Sequence, residues 1–128
     1  YCWGYNADGQ LGIGSKQDSV LPVRLGGSTW SGVTAGWGHT CATRLDHSLW
    51  CWGDGSRGAL GDRSSGDRTT PVRVGTNTLW TTVSAGHYHT CGYRSGNHSV
   101  WCWGDNTAGQ VGIGNRTRQF APQIVKTA

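Results

Sequence analysis

Histidine, cysteine and aspartate are the side chains with chemistry to offer, and their spacing narrows what that chemistry is. His87 and His89 stand two residues apart, the separation that puts both imidazoles on one face of a strand. Such a pair could hold a metal ion, but it occurs once and no third ligand lies near it in sequence, so no metal is expected. His39 and His89, each followed by threonine, occupy matching positions fifty residues apart, which marks them as packing residues. All seven acids are aspartate and glutamate is absent. These aspartates fall mostly in turn-forming stretches, where a carboxylate caps backbone N–H groups, and none makes the pair that acid–base catalysis needs. The chain also lacks a Gly-x-Ser-x-Gly elbow, a Gly-x-x-x-x-Gly-Lys-Ser/Thr loop and a Gly-x-Gly-x-x-Gly opening a helix. Neither catalysis nor a cofactor is expected.

A repeat positions these residues. Tyr1-Cys2-Trp3-Gly4 returns as Trp50-Cys51-Trp52-Gly53 and as Trp101-Cys102-Trp103-Gly104, in steps of 49 and 51 residues, and Pro22, Pro71 and Pro122 keep the same steps. Residues 30–41 match residues 80–91. A fixed period of tens of residues means one supersecondary unit copied in tandem. Inside a unit, short runs are separated by Gly-rich turns, and apolar residues never recur at helical spacing for a helix's length, so the chain reads as all-β. Strands are expected near 32–36, 39–44, 48–53 and 71–75, and again about fifty residues on. Four short strands in such a unit are the pattern of a propeller blade.

The core must be built from unusual material. Leu, Ile, Val and Phe number only twenty among 128 residues, a share that alone would suggest disorder. Eight tryptophans reverse that, since each indole can bury roughly 200 Å². The charged fraction of 14% also removes the self-repulsion that keeps disordered chains open. A net charge of +4, with arginines scattered, is too dilute to argue for nucleic acid. No apolar stretch approaches the roughly 18 residues of a membrane span, so no membrane insertion is expected. The start at Tyr1, without an initiator or signal segment, suggests a processed or excised part of something longer.

The stretch Cys2-Trp3-Gly4-Tyr5-Asn6-Ala7-Asp8-Gly9-Gln10-Leu11-Gly12-Ile13-Gly14 has a copy from Trp103 to Gly114, and two Ala-Gly-x-x-His-Thr segments accompany them. These residues resemble the repeats of the regulator of chromosome condensation family. The middle copy departs, with Gly55 where the others carry Asn6 and Asn106, and Ala59 in place of Gln10 and Gln110. The resemblance implies a propeller of seven blades, which would need roughly 350 residues. This chain holds a half unit, 1–29, and two whole ones, 30–79 and 80–128, so about two and a half repeats. Light-sensing members of the family stack indoles on arginines through a Gly-Trp-Arg-His-Thr segment; here Gly38 replaces that arginine in Gly36-Trp37-Gly38-His39-Thr40. Repeats bury their faces only against neighbours, so the open ends should be covered by further polypeptide or further copies.

The cysteines fall at fixed points of the unit. If 39–44 pairs antiparallel with 48–53, Cys41 faces Cys51; in the next unit Cys91 faces Cys102, a one-residue insertion being absorbed in the turn. Directly opposed cysteines can reach disulfide geometry, and each bridge should contribute about 2 to 3 kcal/mol. Cys2 is equivalent to Cys51 and Cys102, and its partner lies outside this segment. Two disulfides place the chain in an oxidising compartment, extracellular or secreted. Two glycosylation sequons, at Asn97 and Asn115, agree with that placement.

Binding is the remaining role, and in propellers it belongs to the loops. The stretches between Gly-rich turn and repeat proline vary most, and their charged residues Lys16, Asp18, Arg63, Asp67, Arg68, Arg116 and Arg118 are the candidate contacts. The expected function is a non-catalytic extracellular module for protein–protein interaction, scaffolding or self-assembly. Its partner would be another protein, further copies of itself, or a glycan. One alternative is a secreted inhibitor or glycan-binding propeller. The other, implied by the family resemblance, is nucleotide exchange on a small GTPase with chromatin binding, against which the disulfide-placed cysteines and the lack of a basic tail argue.

Overall fold

The computed structural model describes residues 1–27 and 29–127. Ten strands form three antiparallel sheets: β1 (Cys2–Gly4) with β2 (Ser19–Val23); then β3 (Trp30–Ala35), β4 (His39–Arg44), β5 (Leu49–Gly53) and β6 (Arg68–Arg73); then β7 (Trp80–Ala85), β8 (His89–Arg94), β9 (Ser99–Gly104) and β10 (Gln119–Ile124). Each four-stranded sheet is a meander in chain order, and the two-stranded sheet is the second half of one. One 3-10 turn, Ser95–Asn97, is the only helical element among the described residues.

Two strand limits differ from the sequence expectation. The first strand of each blade begins at the tryptophan, Trp30 or Trp80, and the fourth begins ahead of its proline, so Pro71 lies inside β6. That position is tolerated because β6 is an edge strand with β5 as its only neighbour, and the register slips between Cys51 and Gly53. The missing N–H therefore costs no ladder bond.

β4 and β5 pair with Cys41 opposite Cys51, β8 and β9 with Cys91 opposite Cys102, and both pairs are bonded as disulfides. Cys2 is free.

Neighbouring sheets meet through the Gly-rich loop that follows each third strand. The Gln10 carbonyl accepts hydrogen bonds from Trp52 Nε1 at 2.9 Å and Thr40 Oγ1 at 2.8 Å. Fifty residues on, the Ala59 carbonyl accepts from Trp103 Nε1 and Thr90 Oγ1, both at 2.8 Å. The loop lies so flat on the indole that a Cβ at Gly12 or Gly61 would sit 2.7 Å from the ring nitrogen. Around the second of these seams lies the apolar core, Cys41, Leu49, Cys51, Leu60, Val74, Trp80 and Trp103.

Candidate interaction face

The strands carry their connections to two opposite faces. On one, the loop after β5 is tied to the β3–β4 turn by Asp54 N donating to the Gly38 carbonyl at 2.8 Å. The loop after β9 is tied to the β7–β8 turn by Asp105 N donating to the Tyr88 carbonyl at 2.9 Å. The other face carries the tight β4–β5 and β8–β9 hairpins, the first tied to the next blade by Trp80 N donating to the His47 carbonyl at 3.1 Å.

Most of the periodic polar groups are spent inside. His39 is buried, its Nε2 2.8 Å from Thr90 Oγ1 of the next blade, and burial pushes its pKa down to about 4. Arg44 lies between the rings of Trp30 and Trp50, at 4.8 and 3.7 Å, and Arg94 between Trp80 and Trp101, both at 4.1 Å. Desolvation lowers the Arg94 pKa. These clamps escaped the sequence reading, although Arg44 and Arg94 stand at one repeat position, next to tryptophans two residues from the seam indoles. His87 lies in the turn before β8 rather than on the strand with His89, so the two do not share a strand face. Among the described residues no group of three metal-ligating side chains comes together.

The charged loop residues are brought to the first face, and most are engaged there. Asp18 Oδ1 accepts from Asn6 N at 2.7 Å, and Asp67 Oδ1 accepts from Gly55 N at 3.2 Å. Lys16 Nζ donates to Asp67 Oδ2 at 2.7 Å, joining two loops, and Arg68 Nε donates to Asp62 at 2.7 Å. Arg118 stands 3.7 Å from Asp105. Arg63 and Arg116 are exposed with no side-chain hydrogen bond or ion pair among the described residues. Asn115 is on this face, its Oδ1 accepting from Thr117 N at 2.9 Å, while Asn97 is at the opposite face and its Oδ1 accepts the Ser99 hydroxyl at 2.5 Å.

What the loop reading missed is an aromatic ladder across the two blades. Trp37, 71% exposed, meets His87 edge-on at 4.9 Å; His87 stacks on Tyr88 at 4.2 Å; the Arg57 guanidinium covers Tyr88 at 4.0 Å and reaches Asp105 at 3.7 Å. The signal was present in the sequence. Trp37 is the one tryptophan without a repeat counterpart, and an aperiodic indole has no packing slot to fill. The ladder offers flat aromatic surface beside the Arg57 cation, with Asp8 and Asp54 at the neighbouring Gly38 turn, a mix of aromatic and charged groups of the kind protein-binding surfaces carry. Burial, and then the charges of Asp54 and Asp67, raise the Asp8 carboxyl pKa from its ordinary value.

The profile of the Regulator of chromosome condensation (RCC1) repeat matches residues 1–43, 46–93 and 97–128, and a second profile of the same repeat matches 30–59 and 80–110. The Ultraviolet-B receptor UVR8 of Arabidopsis thaliana is 34% identical over 131 residues, an alignment covering 98% of this chain and 30% of the receptor. Prp20p of Saccharomyces cerevisiae, whose crystal structure was described with its binding properties to Gsp1p and histones, superposes with a TM-score of 0.79 at 19% identity, over 98% of this chain and 33% of its own. Human WBSCR16 superposes with a TM-score of 0.83 at 22% identity, over 95% and 32%. The chain thus spans about a third of the length of the relatives it matches.

Proposed function

Because this chain belongs to the regulator of chromosome condensation repeat family, we propose that it is a non-catalytic, extracellular propeller segment that holds a protein partner on its loop face. The observation that carries the reading is the division of labour among its aromatic residues. In the two complete blades every periodic tryptophan sits in a seam or an arginine clamp, while the aperiodic Trp37 stands out of the surface with His87, Tyr88 and Arg57 behind it. Cys41–Cys51 and Cys91–Cys102 support an oxidising compartment, and the sequons at Asn97 and Asn115 are consistent with one. The same bridges weigh against the intracellular roles of small-GTPase exchange and chromatin binding. Self-assembly through the open ends remains compatible with the module.

An exposed indole also fits the face of a sugar ring, so glycan capture, or inhibition of a secreted enzyme through this face, is the second reading. One experiment separates them. The immobilised chain, its Trp37→Ala variant and a Leu45→Ala variant on the opposite face are exposed to secreted proteins and to a glycan array. The proposal expects protein capture that Trp37→Ala reduces at least tenfold and Leu45→Ala leaves unchanged. Capture indifferent to Trp37 overturns it, and binding confined to glycans transfers the face to the second reading.

A further inference from the structure

The two seams carry opposite charge at matching positions of the loop face. Asp54 and Asp105 stand at one repeat position, 51 residues apart. Near Asp54 the first seam sets Asp8 and Asp67, and at the same two repeat positions the second seam sets Arg57 and Arg118 beside Asp105. Gly14 is likewise matched by Arg63, and Lys16, which pairs with Asp67, by Ser65. The basic seam lies between the two complete blades. Arg57 and Arg63 come from the loop after β5 and Arg118 from just before β10, and that loop rests on the next blade through Arg63 N, which donates to the Phe120 carbonyl at 2.8 Å.

Arg57 and Arg118 reach this seam without finding an acceptor. Arg57 Nη1 is 3.7 Å from Asp105 Oδ2 and Arg118 Nε is 3.7 Å from Asp105 Oδ1, so the two guanidinium groups straddle one carboxylate at a separation too long for a hydrogen bond. The Asp105 side chain is 6% exposed; its Oδ2 accepts from Thr107 Oγ1 at 3.1 Å and Gln110 Nε2 at 3.2 Å, and its Oδ1 has no hydrogen-bond partner among the described residues. The two arginine side chains are 42% and 39% exposed and make no hydrogen bond among the described residues. Tyr88, under Arg57 at 4.0 Å, holds that guanidinium in place. Each guanidinium carries five N–H donors in a rigid fork that fits the two oxygens of a carboxylate. One buried negative charge beneath two exposed positive ones, with the exposed Arg63 on the same seam, leaves the rim basic and its donors unmet.

We infer that this rim is an oxyanion seat, and that it takes a short acidic segment of the protein partner, with one side-chain carboxylate laid between Arg57 and Arg118 on the solvent side of Asp105. The inference rests on the loop-face reading and names the chemistry of the partner that the face holds. The first seam limits the length of that segment. A polyanion long enough to cross the face, such as a sulfated glycan, would run from the arginines onto Asp8, Asp54 and Asp67, where like charges repel it. Beside the seat the rings of Tyr88, His87 and Trp37 offer flat aromatic surface, so an apolar residue next to the acid completes the fit.

The probe is an acetylated and amidated tetraglutamate peptide, titrated at neutral pH and low salt into the full chain with both disulfides intact; tetraglutamine is the neutral control. Tetraglutamate should shift the Nε–H signals of Arg57 and Arg118 in the unaltered chain, and tetraglutamine should not. Arg57→Gln with Arg118→Gln should weaken tetraglutamate about tenfold, the size of two charge-assisted contacts. Arg24→Gln with Arg73→Gln removes the same charge from the far ends of the outer strands and should change affinity less than about twofold. A heparin tetrasaccharide is the glycan arm and should bind within about tenfold of tetraglutamate. Unmoved Arg57 and Arg118 signals, or equal losses from the two pairs of substitutions, overturn the inference. Heparin binding tighter than that limit gives the seat to a sulfated glycan and overturns the acidic segment. Capture of secreted proteins that needs Trp37 but is undiminished by Arg57→Gln with Arg118→Gln also overturns it and leaves the loop-face reading standing.

Discussion

The two seams of this molecule share one hydrogen-bonded frame and differ in everything around it. At both, a loop carbonyl receives an indole N–H and a threonine hydroxyl, at Gln10 in the first and Ala59 in the second. Exchanging glutamine for alanine is tolerated because the seam uses only the carbonyl; the Gln10 side chain serves its own loop, accepting from Asp8 N at 3.0 Å. Beyond the frame, the second seam adds the apolar cluster, the His39–Thr90 bond and the Arg57–Asp105 contact. The first sets Asp8 near Asp54 and Asp67, relieved by Lys16. Among the described residues the first seam joins β3–β6 to the half blade β1–β2, and no histidine meets Thr40 as His39 meets Thr90. Backbone geometry is what the repeat copies, and the rim of each seam is free to vary.

Indole deletion gives the largest effect. Trp103→Ala and Trp52→Ala should each lower the unfolding free energy by about 3 to 5 kcal/mol, Trp103 more, because it also lines the apolar cluster. Trp3→Ala removes the same repeat residue from an open edge and should cost less than about 0.5 kcal/mol. Denaturant midpoints decide it, and a Trp3 cost equal to that of Trp52 breaks the frame argument.

Acid should then tell the seams apart. His39 is held neutral in the fold, with a pKa near 4 against 6.5 when unfolded. Between those values the unfolded chain binds the proton and the native one does not, so stability falls as pH drops from 6.5 towards 4 and levels off below. The loss is of the order of 3 kcal/mol, and His39→Gln should flatten that part of the profile. Asp8 works in the opposite sense. Its pKa is raised in the fold, so protonation favours the native state and the first seam gains as pH falls through the Asp8 titration.

How much of this was legible in the sequence follows the same division. The repeat frame was readable because it recurs: the Trp-Cys-Trp-Gly runs fixed the third strands, and equal spacing about Asp46 set Cys41 opposite Cys51. The start of β6 was not, because a proline normally marks a strand's beginning and only the unshared outer edge allows Pro71 inside one. The ladder was missed for a related reason. Trp37, His87, Tyr88 and Arg57 come from three loops, and nothing periodic links residues that meet across a seam. The loop charges were found, but sequence spacing does not show that Asp18 and Asp67 are occupied by backbone N–H groups of Asn6 and Gly55.

A smaller perturbation sharpens the contrast at the rims. Arg57→Ala removes a cation that stacks on Tyr88 and faces a nearly buried carboxylate, and should cost about 1 kcal/mol at the second seam. Asp8→Asn removes a like charge from the first and should stabilise it by about 0.3 kcal/mol. Both are read as midpoint shifts at low salt, where the opposite signs are clearest.

An effect of similar small size concerns the loop of the middle repeat. Gly14 and Gly114 adopt φ of 82° and 83°, and the equivalent residue between them is Arg63, at φ 65°. A side chain in that region costs about 1 to 2 kcal/mol, while glycine returns up to about 1 kcal/mol through the freedom of the unfolded chain, so Arg63→Gly should stabilise by about 0.5 kcal/mol. The backbone bond that holds the turn, Arg63 N to the Phe120 carbonyl at 2.8 Å, matches Gly14 N to the Thr69 carbonyl at 2.8 Å and is kept in the variant. The fold therefore gains nothing from an arginine there, and its side chain is exposed on the loop face with no ion pair among the described residues. If Arg63→Gly raises the denaturant midpoint and weakens partner capture together, strain is being held at the rim for a contact. A midpoint that falls would show instead that the arginine serves the fold.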